Sequence, residues 1–222
     1  MEPKDRLFPK SIAELKDLEK YYKKDITEIV KQLELYTNLR KHSKTTCWVI
    51  GNGLSRKNIN LEKLIRYYKS CPQTKTESFA IGCNYIYKEF TPDVIIAQDT
   101  KVLLQMVKDD LDIPVIAPLL KYNWARNSGQ RNLRKFFCLR YPTYNMTRWN
   151  SGDIGIYVAC LLGFKKIALI GFDGGASSIY RQDDGVSYVK SVVTQQRINL
   201  IKNSFENITI NRYEDNFEKP SL

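Results

Sequence analysis

Several short stretches of this sequence carry the residue types that bind or activate a ligand, and each follows an apolar run. Gly51-Asn52-Gly53-Leu54-Ser55 is the first. Two glycines around a short polar residue let the backbone turn sharply and bring amide N–H groups toward an anion, aided by the helix N-terminus that follows. The third glycine of the dinucleotide fingerprint is missing, with Arg56 in its place, so a tight turn without a ligand is the competing reading. Gly82-Cys83-Asn84 offers an amide side chain after the second run. Gln98-Asp99-Thr100 offers a carboxylate that could hold a ribose hydroxyl or Mg²⁺, or simply cap a helix beginning at Thr100. In Arg148-Trp149-Asn150-Ser151-Gly152 the guanidinium suits a phosphate, while Ser151 is either a ligand contact or an N-cap. The last stretch, Gly171-Phe172-Asp173-Gly174-Gly175-Ala176-Ser177-Ser178-Ile179-Tyr180, is polar and long enough to fold over a ligand.

The elements that must position these residues follow from the apolar pattern. Thr46–Ile50, Ser78–Ile81, Asp93–Ala97 and Lys166–Ile170 are near-continuous hydrophobic runs of strand length, the pattern of strands buried on both faces of a parallel sheet. Pro114–Ala117, Phe136–Leu139 and Asn207–Asn211 read as weaker strands. Helix candidates lie between them at about 61–70, 84–90, 100–109, 151–163 and 188–204. This alternation predicts an α/β chain with a Rossmann-like, doubly wound, mostly parallel sheet. In such a sheet a ligand sits outside the carboxyl ends of the strands, the edge shared by all the stretches above.

Residues 11–42 differ. Capping-box patterns at Ser11–Glu14 and Asp25–Glu28 precede apolar residues at helical spacing (Leu15, Leu18, Tyr22, Ile26, Ile29, Leu33). The division is an N-terminal helical arm over 1–44, a nucleotide-binding domain over 45–216 and a tail over 217–222. The arm reads as a helix covering one sheet edge, with homo-oligomerisation through it as the alternative. Residues 121–135 and 174–187 read as long loops.

Composition sets further bounds. The chain has 222 residues, 43% hydrophobic, enough for one well-cored domain. No run approaches the roughly 18 apolar residues of a membrane span. The N-terminus lacks a signal-peptide pattern, and five cysteines at no metal-like spacing suit a reducing compartment. Together these imply a cytoplasmic protein. A net charge of +11 would attract polyanions, but no nucleic-acid motif appears and the basic residues are spread along the chain. The charge equally suits a phosphate-bearing ligand.

At these residues the chain resembles the bacterial sialyltransferases of glycosyltransferase family 42. It is similar, more distantly, to the Rossmann-like group that includes 6-hydroxymethylpterin pyrophosphokinase. The resemblance spans roughly residues 46–181. It rests on Trp48-Val-Ile-Gly-Asn-Gly-Leu-Ser55, Cys83-Asn84, Arg148 with Ser151-Gly152, Leu162-Gly-Phe-Lys-Lys-Ile-Ala-Leu169, and Gly171-Phe172-Asp173 with Ser177-Ser178-Ile179-Tyr180. Thr91–Asp99 is closer to the pyrophosphokinase group. The resemblance implies a cytidine monophosphate-type sugar donor contacted by Asn52, Asn84 and Ser151, within a nucleotide site that also includes Gly51, Gly53, Ser55, Asp99 and Gly152. It implies an active centre of Arg148, Asp173 and Tyr180, with Tyr180 bonding the departing phosphate and no metal required. The family's histidine base has no counterpart, because the one histidine is His42, before the first strand. That role is vacant or falls to a carboxylate such as Asp183 or Asp184. Two other readings stand beside the transferase: a nucleotide-binding or interaction protein without catalysis, and a Mg²⁺-dependent pyrophosphokinase using Asp99 and Asp173.

Overall fold

The structure is a computed structural model that describes residues 46–70, 78–118, 136–139, 149–173, 179–180 and 190–213, together with Thr27 and Lys31. The strands are β1 (Thr46–Ile50), β2 (Phe79–Cys83), β3 (Val94–Ile96), β4 (Val115–Pro118), β5 (Phe136–Leu139), β6 (Lys166–Ile170) and β7 (Thr209–Arg212). The helices are α1 (Leu61–Ser70), α2 (Thr100–Lys108), α3 (Ser151–Leu161) and α4 (Lys190–Ser204). Leu54–Arg56 and Asn84–Lys88 form short 3-10 helices. The stretch expected as a helix over 84–90 is therefore shorter and tighter than its sequence suggests. It starts from Asn84 in the left-handed region, φ 53°, a backbone state that Asn tolerates better than most residues but that no α-helix contains.

The described strands form one seven-stranded sheet in the order β5-β4-β3-β2-β1-β6-β7. Every pairing is parallel, so the expected mostly parallel sheet is parallel throughout. Alternate residues of β1, β2, β3, β4 and β6 feed opposite layers. Cys47 and Val49 of β1 join α3 and α4 in one core cluster. Trp48 and Ile50 join Leu61 and Ile65 of α1 in another. Ile95, Val115 and Ala117 pack with Val102, Leu103 and Met106 of α2. Burial on both faces is why the strands read as continuous apolar runs.

Chain order runs outward from β1 to β5 in one direction, then returns to place β6 on the other side of β1. The first excursion uses α1 and α2 on one face, and α3 and α4 cover the other. The reversal between β1 and β6 is the topological switch point, where a doubly wound sheet opens a crevice. Helix α3 lies close beneath it. A Cβ at Gly155 would stand 2.9 Å from Val49 Cγ1, so glycine there lets the helix approach the sheet. The N-cap of α3 is Asn150, in a reciprocal capping box with Asp153. Ser151 is the first helical residue, so of its two readings the cap falls away. Asp99 does cap α2, its Oδ1 accepting from Lys101 N at 2.9 Å.

The N-terminal arm apart from Thr27 and Lys31, His42, the loop 121–135, Arg148, Gly174–Ser178, Asp183, Asp184 and the tail 217–222 lie outside the described residues. Among the described residues, no helix is long and apolar enough to cross a membrane.

Candidate functional site at the switch point

The loops after β1 and β6 are sewn together by their backbones. Gly51 N donates to Ile170 O at 2.7 Å and Gly53 N to Gly171 O at 3.0 Å, extending the β1–β6 pairing beyond both strands. Only glycine permits this closeness: a Cβ at Gly53 would stand 2.6 Å from Gly171 O and 2.7 Å from Asp173 Oδ1. Asp173 then reaches back across the seam. Its Oδ2 accepts from Ser55 N at 2.7 Å, and its Oδ1 accepts from Ser55 Oγ. Three of the amide N–H groups that made the glycine turn a candidate anion cradle are thus met by the protein itself. Asn52 differs. Its backbone O accepts from Ile179 N at 2.9 Å, while its side-chain Oδ1 is buried without a hydrogen-bond partner among the described residues. A buried acceptor left unmet is costly, and a ligand donor would relieve it.

The end of β2 is tied to α3. Ser151 Oγ donates to Asn84 Oδ1 at 3.1 Å, which joins two residues expected at one ligand. Gly152 follows on the same helical turn, where a Cβ would meet the Phe172 ring at 2.8 Å. Asn52, Asn84, Ser151, Gly152 and Asp173 therefore gather at the carboxyl ends of β1, β2 and β6. Asp99 lies at the same sheet edge but beyond β3, capping its helix.

Beside Asn84 lies a cluster that the sequence does not announce. Arg56 is buried and donates from Nη1 to Glu89 Oε2 at 2.6 Å and from Nη2 to Tyr180 Oη at 2.8 Å. Its guanidinium also faces the Tyr180 ring, 5.4 Å from the centroid. Tyr180 in turn hydrogen-bonds the Glu89 carboxylate and packs edge-on against Tyr85, with centroids 5.8 Å apart. Burial would raise Glu89, but hydrogen bonds from Arg56 and Tyr180 and the Arg56 charge hold it below its ordinary value. Burial and the bond to Glu89 raise Tyr180, keeping it a protonated donor at neutral pH. Its single proton goes to Glu89 in this arrangement. Cys83, adjacent to Asn84, is pushed up to about 12 by burial and the nearby Asp153 charge, so it stays a thiol and not a nucleophile. Of these residues Tyr180 is named from the sequence as a candidate and Arg56 only as a break in a fingerprint, and Glu89 is not named. The available signal was an arginine directly behind a Gly-x-Gly turn.

No protein-family model matches this chain, and no curated protein does. A solved structure of the MAf glycosyltransferase from Magnetospirillum magneticum AMB-1 matches with TM-score 0.55 and 12% identity, over 81% of this chain and 35% of that one. The chain spans about a third of that protein's length, so the likeness speaks for architecture alone.

Proposed function

We propose that this chain binds a nucleotide-sugar of the cytidine monophosphate-sugar type at the switch point and transfers the sugar to an acceptor. The observation that carries the reading is the Asn84–Ser151 bond beside the unmet Asn52 Oδ1. Three polar side chains from separate segments converge where a doubly wound fold takes its ligand. The resemblance to family 42 sialyltransferases assigns nucleotide contacts to the same three residues. The glycosyltransferase-like fold supports the class without naming donor or acceptor.

In this reading an acceptor hydroxyl oxygen bonds to the anomeric carbon while the C–O bond to the phosphate breaks with its electron pair leaving on the phosphate, and the hydroxyl proton passes to a carboxylate base, the role open to Asp183 or Asp184. The protein's task is to stabilise the charge growing on the phosphate. Arg148 and Tyr180 are the assigned donors, and Asp173, an exposed carboxylate steadied by Ser55, stands at the mouth of the site. A magnesium-dependent pyrophosphokinase fits less well. Asp99 and Asp173 follow strands three places apart in the sheet, roughly 14 Å at the usual strand spacing. One ion needs its ligands within about 2 Å of it. Binding without turnover is the second reading, favoured by Tyr180 and Asp173 each being held in internal hydrogen bonds.

Thermal denaturation with cytidine monophosphate, followed by a donor-hydrolysis assay on a cytidine monophosphate-sugar, tests this directly. Stabilisation by the nucleotide is expected. Tyr180→Phe and Arg148→Lys should each lower hydrolysis on the order of 10²–10³, the usual cost of one charge-stabilising donor, and His42→Ala should leave it unchanged. Nucleotide stabilisation without hydrolysis under any metal condition would replace the transferase reading with the binding one. No stabilisation by any nucleotide would remove both.

A further inference from the structure

Arg56 is left unused by the nucleotide contacts, yet it is the most demanding charge at the switch point. Its side chain is 2% exposed, whereas that of its partner Glu89 is 40% exposed. A guanidinium so deep must have an anion against it, but the anion it has can leave into water. The pairing is also incomplete. Glu89 makes one good contact at 2.6 Å and a second at 3.4 Å, and Arg56 Nε has no hydrogen-bond partner among the described residues. A guanidinium presents five N–H donors in a planar fork that matches the oxygens of a phosphate. Here that fork is served by a single carboxylate and a phenol. It sits at the end of the turn that holds Asn52 and its unmet acceptor.

We propose that Arg56 is an oxyanion-binding residue of the switch-point site, and that a phosphate group of the ligand takes the place of the Glu89 carboxylate on its fork. Glu89 closes the Asn84–Lys88 3-10 helix at its C-cap, where its side chain can swing outward without disturbing a strand. Its departure frees two groups together. Arg56 regains both Nη donors and can offer Nε, while the Tyr180 hydroxyl loses its acceptor and can donate to the arriving oxygen. The internal carboxylate thus keeps the buried cation satisfied until a ligand arrives. The identity of the oxyanion as a nucleotide phosphate rests on the proposed function; the existence of the site rests on the Arg56–Glu89–Tyr180 geometry.

Calorimetric titration of wild type and Glu89→Gln with cytidine monophosphate, cytidine and inorganic pyrophosphate separates these layers. Removing the competing charge should tighten cytidine monophosphate on the order of tenfold, the scale of one charge-assisted hydrogen bond. Cytidine, which lacks the phosphate, should bind both proteins equally. Arg56→Lys should weaken the monophosphate and spare cytidine. Should the glutamine variant fold poorly, Glu89→Asp retracts the carboxylate by one methylene and should shift affinity in the same direction, by less. Equal or weaker monophosphate binding by a folded Glu89 variant overturns the proposal while leaving the nucleotide reading intact. Pyrophosphate tightened by Glu89→Gln, with no binding of either cytidine compound, upholds the oxyanion site and overturns the nucleotide reading. No binding of any of the three to either protein overturns both.

Discussion

Two arginine–carboxylate pairs are built into this fold in opposite senses. At the switch point the cation is buried and its carboxylate reaches toward water. Between α3 and α4 the carboxylate is buried: Asp153 is 0% exposed and its partner Arg197 is 12% exposed. The electrostatics follow. Burial pushes Asp153 above its ordinary value despite Arg197 and the bonds with Asn150, whereas Glu89 is held below its own. Asp153 also accepts from Asn150 N at 3.2 Å and completes the cap of α3, so it has no freedom to leave. A pair whose anion is locked inside holds two helices in place. A pair whose anion can leave is suited to exchange.

The comparison is broken most severely on the locked side. Arg197→Met would strand the Asp153 carboxylate in the core, and losing one partner of a buried pair costs about 3–5 kcal/mol. Urea denaturation near neutral pH should show a loss of that size, shrinking in acid as Asp153 takes up a proton. A loss no larger than that of an exposed pair would mean that water reaches Asp153. Next comes the seam between the β1 and β6 loops. Gly53→Ala forces a methyl group against Gly171 O and the Asp173 carboxylate, an overpacking worth about 1–3 kcal/mol. It should also weaken the Ser55–Asp173 contact, detectable as a changed amide shift at Ser55. Glu89→Gln is the mildest of the three. It removes charge but not shape, and the amide oxygen still accepts from Arg56, so the loss should be smaller than in Arg197→Met, which leaves its buried ion no polar partner in that place.

The sheet is far more legible in the sequence than either arginine–carboxylate pair. Thr46–Ile50 and Lys166–Ile170 were read at their observed bounds because double-sided burial leaves continuous apolar runs. Of the two uses the sequence offers for Asp99, the cap is the one the structure shows, and a cap is a local device. For Ser151 the sequence leaves a cap and a ligand contact open, and the cap falls to Asn150, one residue earlier. The contacts that define the site are non-local. Ser151 reaches Asn84 across 67 residues, Ser55 reaches Asp173 across 118, and Arg56 reaches Tyr180 across 124. Only the strand order, with β6 returning beside β1, brings them together, and no spacing rule reports that order. Glu89 carried no signal at all: in the sequence it is one more charged residue on a helix face.

The smallest effect is also the sharpest on the comparison, because the two carboxylates give opposite signs in acid. Glu89 is held below its ordinary value, so the stability it adds is complete above the ordinary glutamate pKa of about 4.3. It is lost as pH falls through the lowered folded value. Asp153 is raised, so its contribution is complete below the ordinary aspartate range and is lost as pH rises through the raised value. Urea midpoints measured from neutral pH down to about 3 should therefore fall less steeply in Glu89→Gln than in wild type, and more steeply in Asp153→Asn. Salt separates them further. At about 1 M ionic strength the screening length is about 3 Å, which should flatten the Glu89 difference at its exposed carboxylate and leave the Asp153 difference largely standing. Equal salt sensitivity in the two variants would show that both pairs are equally shielded from solvent, and Glu89 could then not be the anion that leaves.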